Sequence, residues 1–145
     1  MRRRTFIGVL SGTTVELSRR TFAQNSTPPV VGFLHSASVA TNQPRVAGFL
    51  AGLKATGHAV GQNVAIEYRW AEGDFNRLPR LVEELVRHPV AVLVTGAPPA
   101  ALAARSAMTT IPIVFVMGAD PVKLGLVQSF SRPGGNITGA AVLTI

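Results

Sequence analysis

Residues 90–117 read VAVLVTGAPPAALAARSAMTTIPIVFVM, and their patterning decides the fold. Val90–Thr95 is a nearly all-apolar, β-branched run of strand length, the composition of a strand covered on both faces. Pro98–Met108 follows as an alanine-rich helix, and Ile111–Met117 (IPIVFVM) is another buried strand. Two fully covered strands joined by one helix form a parallel pair with a right-handed crossover.

The same unit repeats toward the N-terminus. Val30–His35 (VVGFLH) is a short buried strand. After the loop 36–42, the stretch Pro44–Thr56 carries Val46, Phe49, Leu50 and Leu53 on one helical face, and Gly57 stops it. Val64–Trp70 alternates in polarity, which predicts a more exposed edge strand. Leu78, Leu81, Val82, Leu85 and Val86 give a second helical stripe through Arg87, ended by Pro89. Ala140–Leu143 begins a fifth strand. The alternation predicts an α/β fold, a doubly wound, mostly parallel sheet with helices on both faces. Ligands of such sheets sit past the carboxyl ends of the strands where their order reverses. That rule selects three loops: His35–Asn42, Thr95–Pro99 and Gly118–Val122.

A chain of 145 residues has room for one domain, and 47% apolar against 14% charged residues supplies a core. The net charge of +7 is concentrated: the first 24 residues hold +4 and the remainder only +3, without a dense cluster. A phosphate-backbone surface needs a contiguous basic patch, so nucleic acid is excluded as a partner. With no cysteine there is no disulfide, no thiolate metal site, no thiol nucleophile and no acylated N-terminal cysteine. No apolar run reaches the roughly 18 residues that span a bilayer.

Residues 1–23 read as a signal peptide. Arg2-Arg3-Arg4 is the positive start, Phe6–Val15 is uncharged, and Thr21-Phe22-Ala23 precedes cleavage before Gln24. Arg3-Arg4-Thr5-Phe6-Ile7 also resembles a twin-arginine signal, while Glu16, Arg19 and Arg20 interrupt the usual pattern. Residues 24–29 form a linker in which Pro28 and Pro29 block a helix. The mature chain is expected to be exported and soluble, with no direct membrane insertion.

Catalytic motifs are missing. The first strand is followed by His35-Ser36-Ala37-Ser38, without the glycines of a dinucleotide site, and no phosphate-loop lysine or Gly-x-Ser-x-Gly elbow occurs. His35, His58 and His88 share no metal-ligand spacing. No catalytic residue, cofactor or metal is expected. Ser36 and Ser38 either grip a small anion with hydroxyls and helix N–H groups or cap the following helix. Asp120, before Pro121, either receives a ligand ammonium or holds its own turn. His35 reads as a hydrogen-bonded rim residue, Trp70 as packed on the helix that follows it, and Glu67, Glu72 and Asp74 as surface charge.

Several of these segments together resemble the ABC-transporter substrate-binding proteins with the type I periplasmic-binding-protein fold. They are Val31–Ser38 (VGFLHSAS), Gly61–Gly73 (GQNVAIEYRWAEG), Ile111–Val116, Gly118–Val122 (GADPV) and Arg132–Gly139 (RPGGNITG). The resemblance implies an N-terminal lobe over residues 30–138, with 139–145 starting the crossover to a second lobe that this sequence lacks. It implies a truncated solute-binding component of an uptake system, periplasmic, working with an ABC permease of the inner membrane and binding a small molecule such as an amino acid. It places the ligand at Ser36, Ala37 and Ser38, at Gly96, Ala97 and Pro98, and at Asp120 and Pro121, the same three loops the switch-point rule selects. Two other classes share such a fold: the effector-binding lobe of a transcription regulator and a flavodoxin-like enzyme domain. The former needs a helix-turn-helix ahead of the first strand, and the latter a phosphate loop or a base–nucleophile pair.

Overall fold

The computed structural model describes residues 27–143. The signal-peptide reading of residues 1–23 therefore lies outside the described residues. Five strands, β1 (Val30–His35), β2 (Ala65–Trp70), β3 (Val90–Gly96), β4 (Ile113–Met117) and β5 (Ile137–Ala141), form one sheet in the order β2-β1-β3-β4-β5. All four pairings are parallel. The order reverses between β1 and β3, so the crevice of a doubly wound sheet opens above His35 and Gly96, which are register partners. Three helices, α1 (Val39–Ala55), α2 (Leu78–Arg87) and α3 (Pro98–Ser106), make the crossovers.

The larger core lies between the sheet and α2 and α3. Leu34, Leu93, Ile113 and Phe115 project from the strands, and Leu81, Val82 and Leu85 meet them from α2. Buried alanines at positions 100, 101 and 104 let α3 lie close to the sheet. Each large side chain so buried contributes about 1.5–3 kcal/mol. Leu126 and Val127, from the segment after β4, seal the same side.

The opposite face is thinner. Val31, Phe33 and Val94 are buried there, with Val46 and Phe49 of α1 packed against them. Within α1 the one buried residue is polar, Asn42. Beyond α1 this face is less covered, and Val116 of β4 is 51% exposed.

The edge position expected for Val64–Trp70 is found in β2. Arg69 Nε donates to Glu84 Oε2 at 3.0 Å, tying that edge to α2, and this bond holds the Glu84 carboxyl below its ordinary range. Three details differ from the sequence reading. Helix α1 starts at Val39 and contains Pro44 instead of starting there. Trp70 packs on Phe33, His35 and Tyr68 on the α1 face, not on the helix that follows it. Strand β5 begins at Ile137, three residues before the expected Ala140, so Gly139 lies inside the sheet. A Cβ there would run into the Phe115 carbonyl oxygen, so only glycine permits this close pairing.

Candidate functional site

The chemistry of the crevice begins with how β1 ends. His35 is buried, and its Nδ1 accepts the Ala37 amide at 3.0 Å, so the neutral ring carries its proton on Nε2. Its ring stacks on Phe33 and packs against Trp70. Burial, then the charge of Arg45, lowers its pKa from the ordinary histidine value. The ring edge occupies the space a side chain at Gly96 would need. The turn leaving β1 is pinned further: the Ser36 carbonyl accepts the Gly73 amide at 2.9 Å, and the His35 carbonyl accepts that of Ala71.

Ser38 stands at the N-cap of α1, yet its side chain makes no capping bond, and the first turn carries no acidic residue. The Ser38 hydroxyl instead meets Thr41 Oγ1 at 3.2 Å. The first amides of α1 and the positive end of its dipole are therefore not neutralised by the helix's own side chains. Asn42, 2% exposed, donates from Nδ2 to the Ser38 carbonyl at 2.9 Å and to Thr41 Oγ1 at 3.0 Å. Its Oδ1 accepts Nη1 of Arg45, also at 2.9 Å.

The turn after β3 is strained. Ala97 has φ 72° and ψ 153°, a region used almost only by glycine. Its amide donates to the Val116 carbonyl, and Pro98 and Pro99 then open α3. Thr95, just before the turn, is fully buried with Oγ1 unpaired among the described residues.

These two turns frame an open cavity of about 800 Å³, within the size range of small-molecule sites. Of the residues expected at the ligand, Ser36, Ala37, Gly96, Ala97 and Pro98 line it. Phe33, His35 and Phe49 supply an aromatic wall, with Phe33 and Phe49 centroids 5.4 Å apart. Arg45 is the one cation of the lining, which contains no carboxylate. Thr95 and, from the third loop, Gly118 complete the floor.

Ser38, Asp120 and Pro121 are not part of the wall. Ser38 sits beside it at the head of α1. Asp120 Oδ1 accepts the amides of Val122 and Lys123, at 2.9 and 3.2 Å, so the aspartate holds its own turn. Pro121 is fully buried under that turn. Asn42 and Thr95 bound two of the loops the sequence selects but carry no role in that reading, and Arg45 lies outside all three. The signal was present: Ser38, Asn42 and Arg45 recur at helical spacing, a polar stripe beside the apolar one. Among the described residues, no group of three His, Asp or Glu side chains is arranged to hold a metal.

A cleft at the switch point of a doubly wound sheet is where such folds hold their small ligands. Residues 31–143 match the family described as ABC transporter substrate binding protein, and the chain belongs to that family. It is a family of substrate-binding proteins, not enzymes. The chain is 32% identical over 94 residues to the tyrosine-binding protein of Clostridioides difficile, a match covering 65% of this chain and 27% of that protein. Among solved structures it resembles a conserved domain protein from Vibrio cholerae, with a TM-score of 0.75, 34% identity, and coverage of 81% of this chain and 40% of that one. It also resembles an ABC domain from Streptococcus pneumoniae in complex with L-Trp, with a TM-score of 0.72, 28% identity, and coverage of 79% and 39%. The chain thus spans between a quarter and two-fifths of the length of these relatives. No helix among the described residues is long and apolar enough to cross a membrane.

Proposed function

We propose that residues 30–138 form the N-terminal lobe of a solute-binding protein that captures an amino acid for an ABC permease. The observation that carries this reading is the cavity at the β1/β3 switch point, bounded by an uncapped helix start on one side and an aromatic wall on the other. The ligand carboxylate meets Ser36, Ala37 and Ser38, where helix amides and hydroxyls supply donors. Its side chain lies over Gly96, Ala97 and Pro98 and against Phe33 and Phe49. Its ammonium turns toward Asp120 and Pro121, where Asp120 Oδ2 remains after Oδ1 has taken the two turn amides. Two relatives, one a tyrosine-binding protein and one solved with L-Trp, favour an aromatic amino acid. Removal of residues 1–23 on export delivers the chain to the periplasm, and the crossover expected over 139–145 starts only after β5, since 139–141 pair with β4.

Calorimetry of the chain against the twenty amino acids tests this reading. Because one lobe supplies only part of the contacts, millimolar affinities are to be expected. Saturable heat with tyrosine or tryptophan supports it, and no heat with any amino acid at millimolar concentrations rejects it. N-terminal sequencing of an exported sample reports whether Gln24 is the first residue.

A further inference from the structure

The cavity wall is electrostatically one-sided: it contains one guanidinium and no carboxylate. Among the described residues Arg45, like Arg77, Arg105 and Arg132, has no acidic partner within 4.0 Å, but of these four it alone lines the cavity. Arg45 is exposed, yet its guanidinium is tethered. Its Nη1 is held by the buried Asn42, whose own amide group is fixed to the first turn of α1 through Ser38 and Thr41. The guanidinium is therefore one side chain away from the unneutralised helix start. A further donor lies nearby in the cavity wall: His35, whose Nδ1 is occupied by the Ala37 amide, leaving the proton on Nε2. Thr95 Oγ1, fully buried and unpaired, adds a polar atom awaiting a partner.

We propose that Arg45 is the principal anion anchor of this lobe, and that the lobe selects its ligand by a carboxylate carried on an aromatic or apolar body, with the amine contributing little. This deepens the solute-binding reading and rests on it. An arginine held at one N–H keeps its remaining donors in a planar fork suited to two carboxylate oxygens. The aromatic wall and the apolar strand ends take the rest of the ligand. The carboxylate proposed above for the ammonium, that of Asp120, stands outside the wall and holds its own turn through Oδ1, so its hold on an amine is the weaker one. The chemical class is thus wider than amino acids and includes arylpropionates and other deaminated aromatic acids.

The test uses the full chain and three probes: L-tyrosine, 3-(4-hydroxyphenyl)propionate, which lacks the amine, and tyramine, which lacks the carboxylate. Affinities are read by amide and guanidinium NMR shifts, which detect millimolar binding. The propionate should bind within about tenfold of tyrosine and tyramine at least tenfold more weakly. Charged hydrogen bonds of this kind are worth roughly a tenfold to a hundredfold in affinity, so Arg45→Met should weaken tyrosine and the propionate by that factor while leaving tyramine unchanged. Arg45→Lys should fall between and, because its ammonium can still donate to Asn42 Oδ1, should keep the melting temperature near the parent value, whereas Arg45→Met, which leaves that buried oxygen without its partner, should lower it. Tyrosine binding unaffected by Arg45→Met, or tyramine matching tyrosine, overturns the anchor and leaves the amino-acid reading intact. Arginine-dependent binding of the propionate without tyrosine binding supports the anchor and overturns the amino-acid reading. Binding by none of the three overturns both.

Discussion

Gly96 and His35 are partners across the β1/β3 pairing, and the imidazole edge fills the place where a side chain at position 96 would stand. The ring cannot swing away cheaply, because it is stacked on Phe33, packed against Trp70 and bonded through Nδ1 to the Ala37 amide. Glycine is required here by close approach, not by backbone conformation.

Gly96→Ala should therefore destabilise the fold by about 1–3 kcal/mol, as overpacking of a filled site does. A thermal melt checks the size of the effect. On a His35→Ala background the same substitution should cost much less, since the clashing ring is gone. Equal costs on the two backgrounds would show that the two residues are not coupled.

Much of this arrangement was legible before any coordinates. The apolar runs at Val30–His35, Val90–Thr95 and Ile111–Met117 announce parallel strands, although β4 is not covered on both faces as its run suggests, Val116 being half exposed, and the alternation of Val64–Trp70 announces an edge. What escaped has physical reasons. Pro44 resembles a helix start, but α1 tolerates it one turn inside, at the expense of one backbone bond. The onset of β5 was hidden because Asn136-Ile137-Thr138-Gly139 looks like a turn until the Phe115 carbonyl is seen to demand a glycine. Asn42 and Arg45 went unnoticed because apolar periodicity draws attention to Val46 and Phe49, and a polar stripe acquires meaning only when a cavity faces it.

The histidine also makes stability depend on pH. Burial and the charge of Arg45 favour the neutral ring, so its pKa in the fold lies below the unfolded value of about 6.5. The unfolded chain then binds more protons in that window. The contribution is fully present above the unfolded pKa and is lost as pH falls through the folded one. Protonation at Nδ1 also ends the bond from the Ala37 amide and so loosens the turn that carries Ser36. Urea midpoints at pH 8 and pH 5 should show the loss, and His35→Gln, which offers an amide oxygen to Ala37, should flatten this part of the profile.

Ala97 pays for its position in strain. Its φ of 72° with ψ of 153° belongs to a region costing about 1–3 kcal/mol for a residue with a side chain. Ala97→Gly relieves that strain but adds unfolded-state entropy worth roughly 0.5–1 kcal/mol. The expected net result is a stabilisation of about 1 kcal/mol, visible as a higher urea midpoint at unchanged slope. A lower midpoint would mean that the alanine methyl has packing value greater than the strain it causes.

Asp120 carries two proposed roles that one pair of substitutions separates. Its Oδ1 holds the amides of Val122 and Lys123, a local task that asparagine performs equally well with its own carbonyl oxygen. Asp120→Asn should accordingly leave the melting temperature within error of the parent. Asp120→Ala should cost about 1 kcal/mol, the usual loss when such a cap is removed. Ligand affinity distinguishes the second role. If Oδ2 receives an ammonium, Asp120→Asn weakens L-tyrosine a few-fold and leaves 3-(4-hydroxyphenyl)propionate untouched. If the carboxylate anchor at Arg45 dominates, that few-fold loss stays well below the loss caused by Arg45→Met. Unchanged affinity for both probes would reduce Asp120 to a turn residue and leave recognition to the β1 and β3 loops and Arg45.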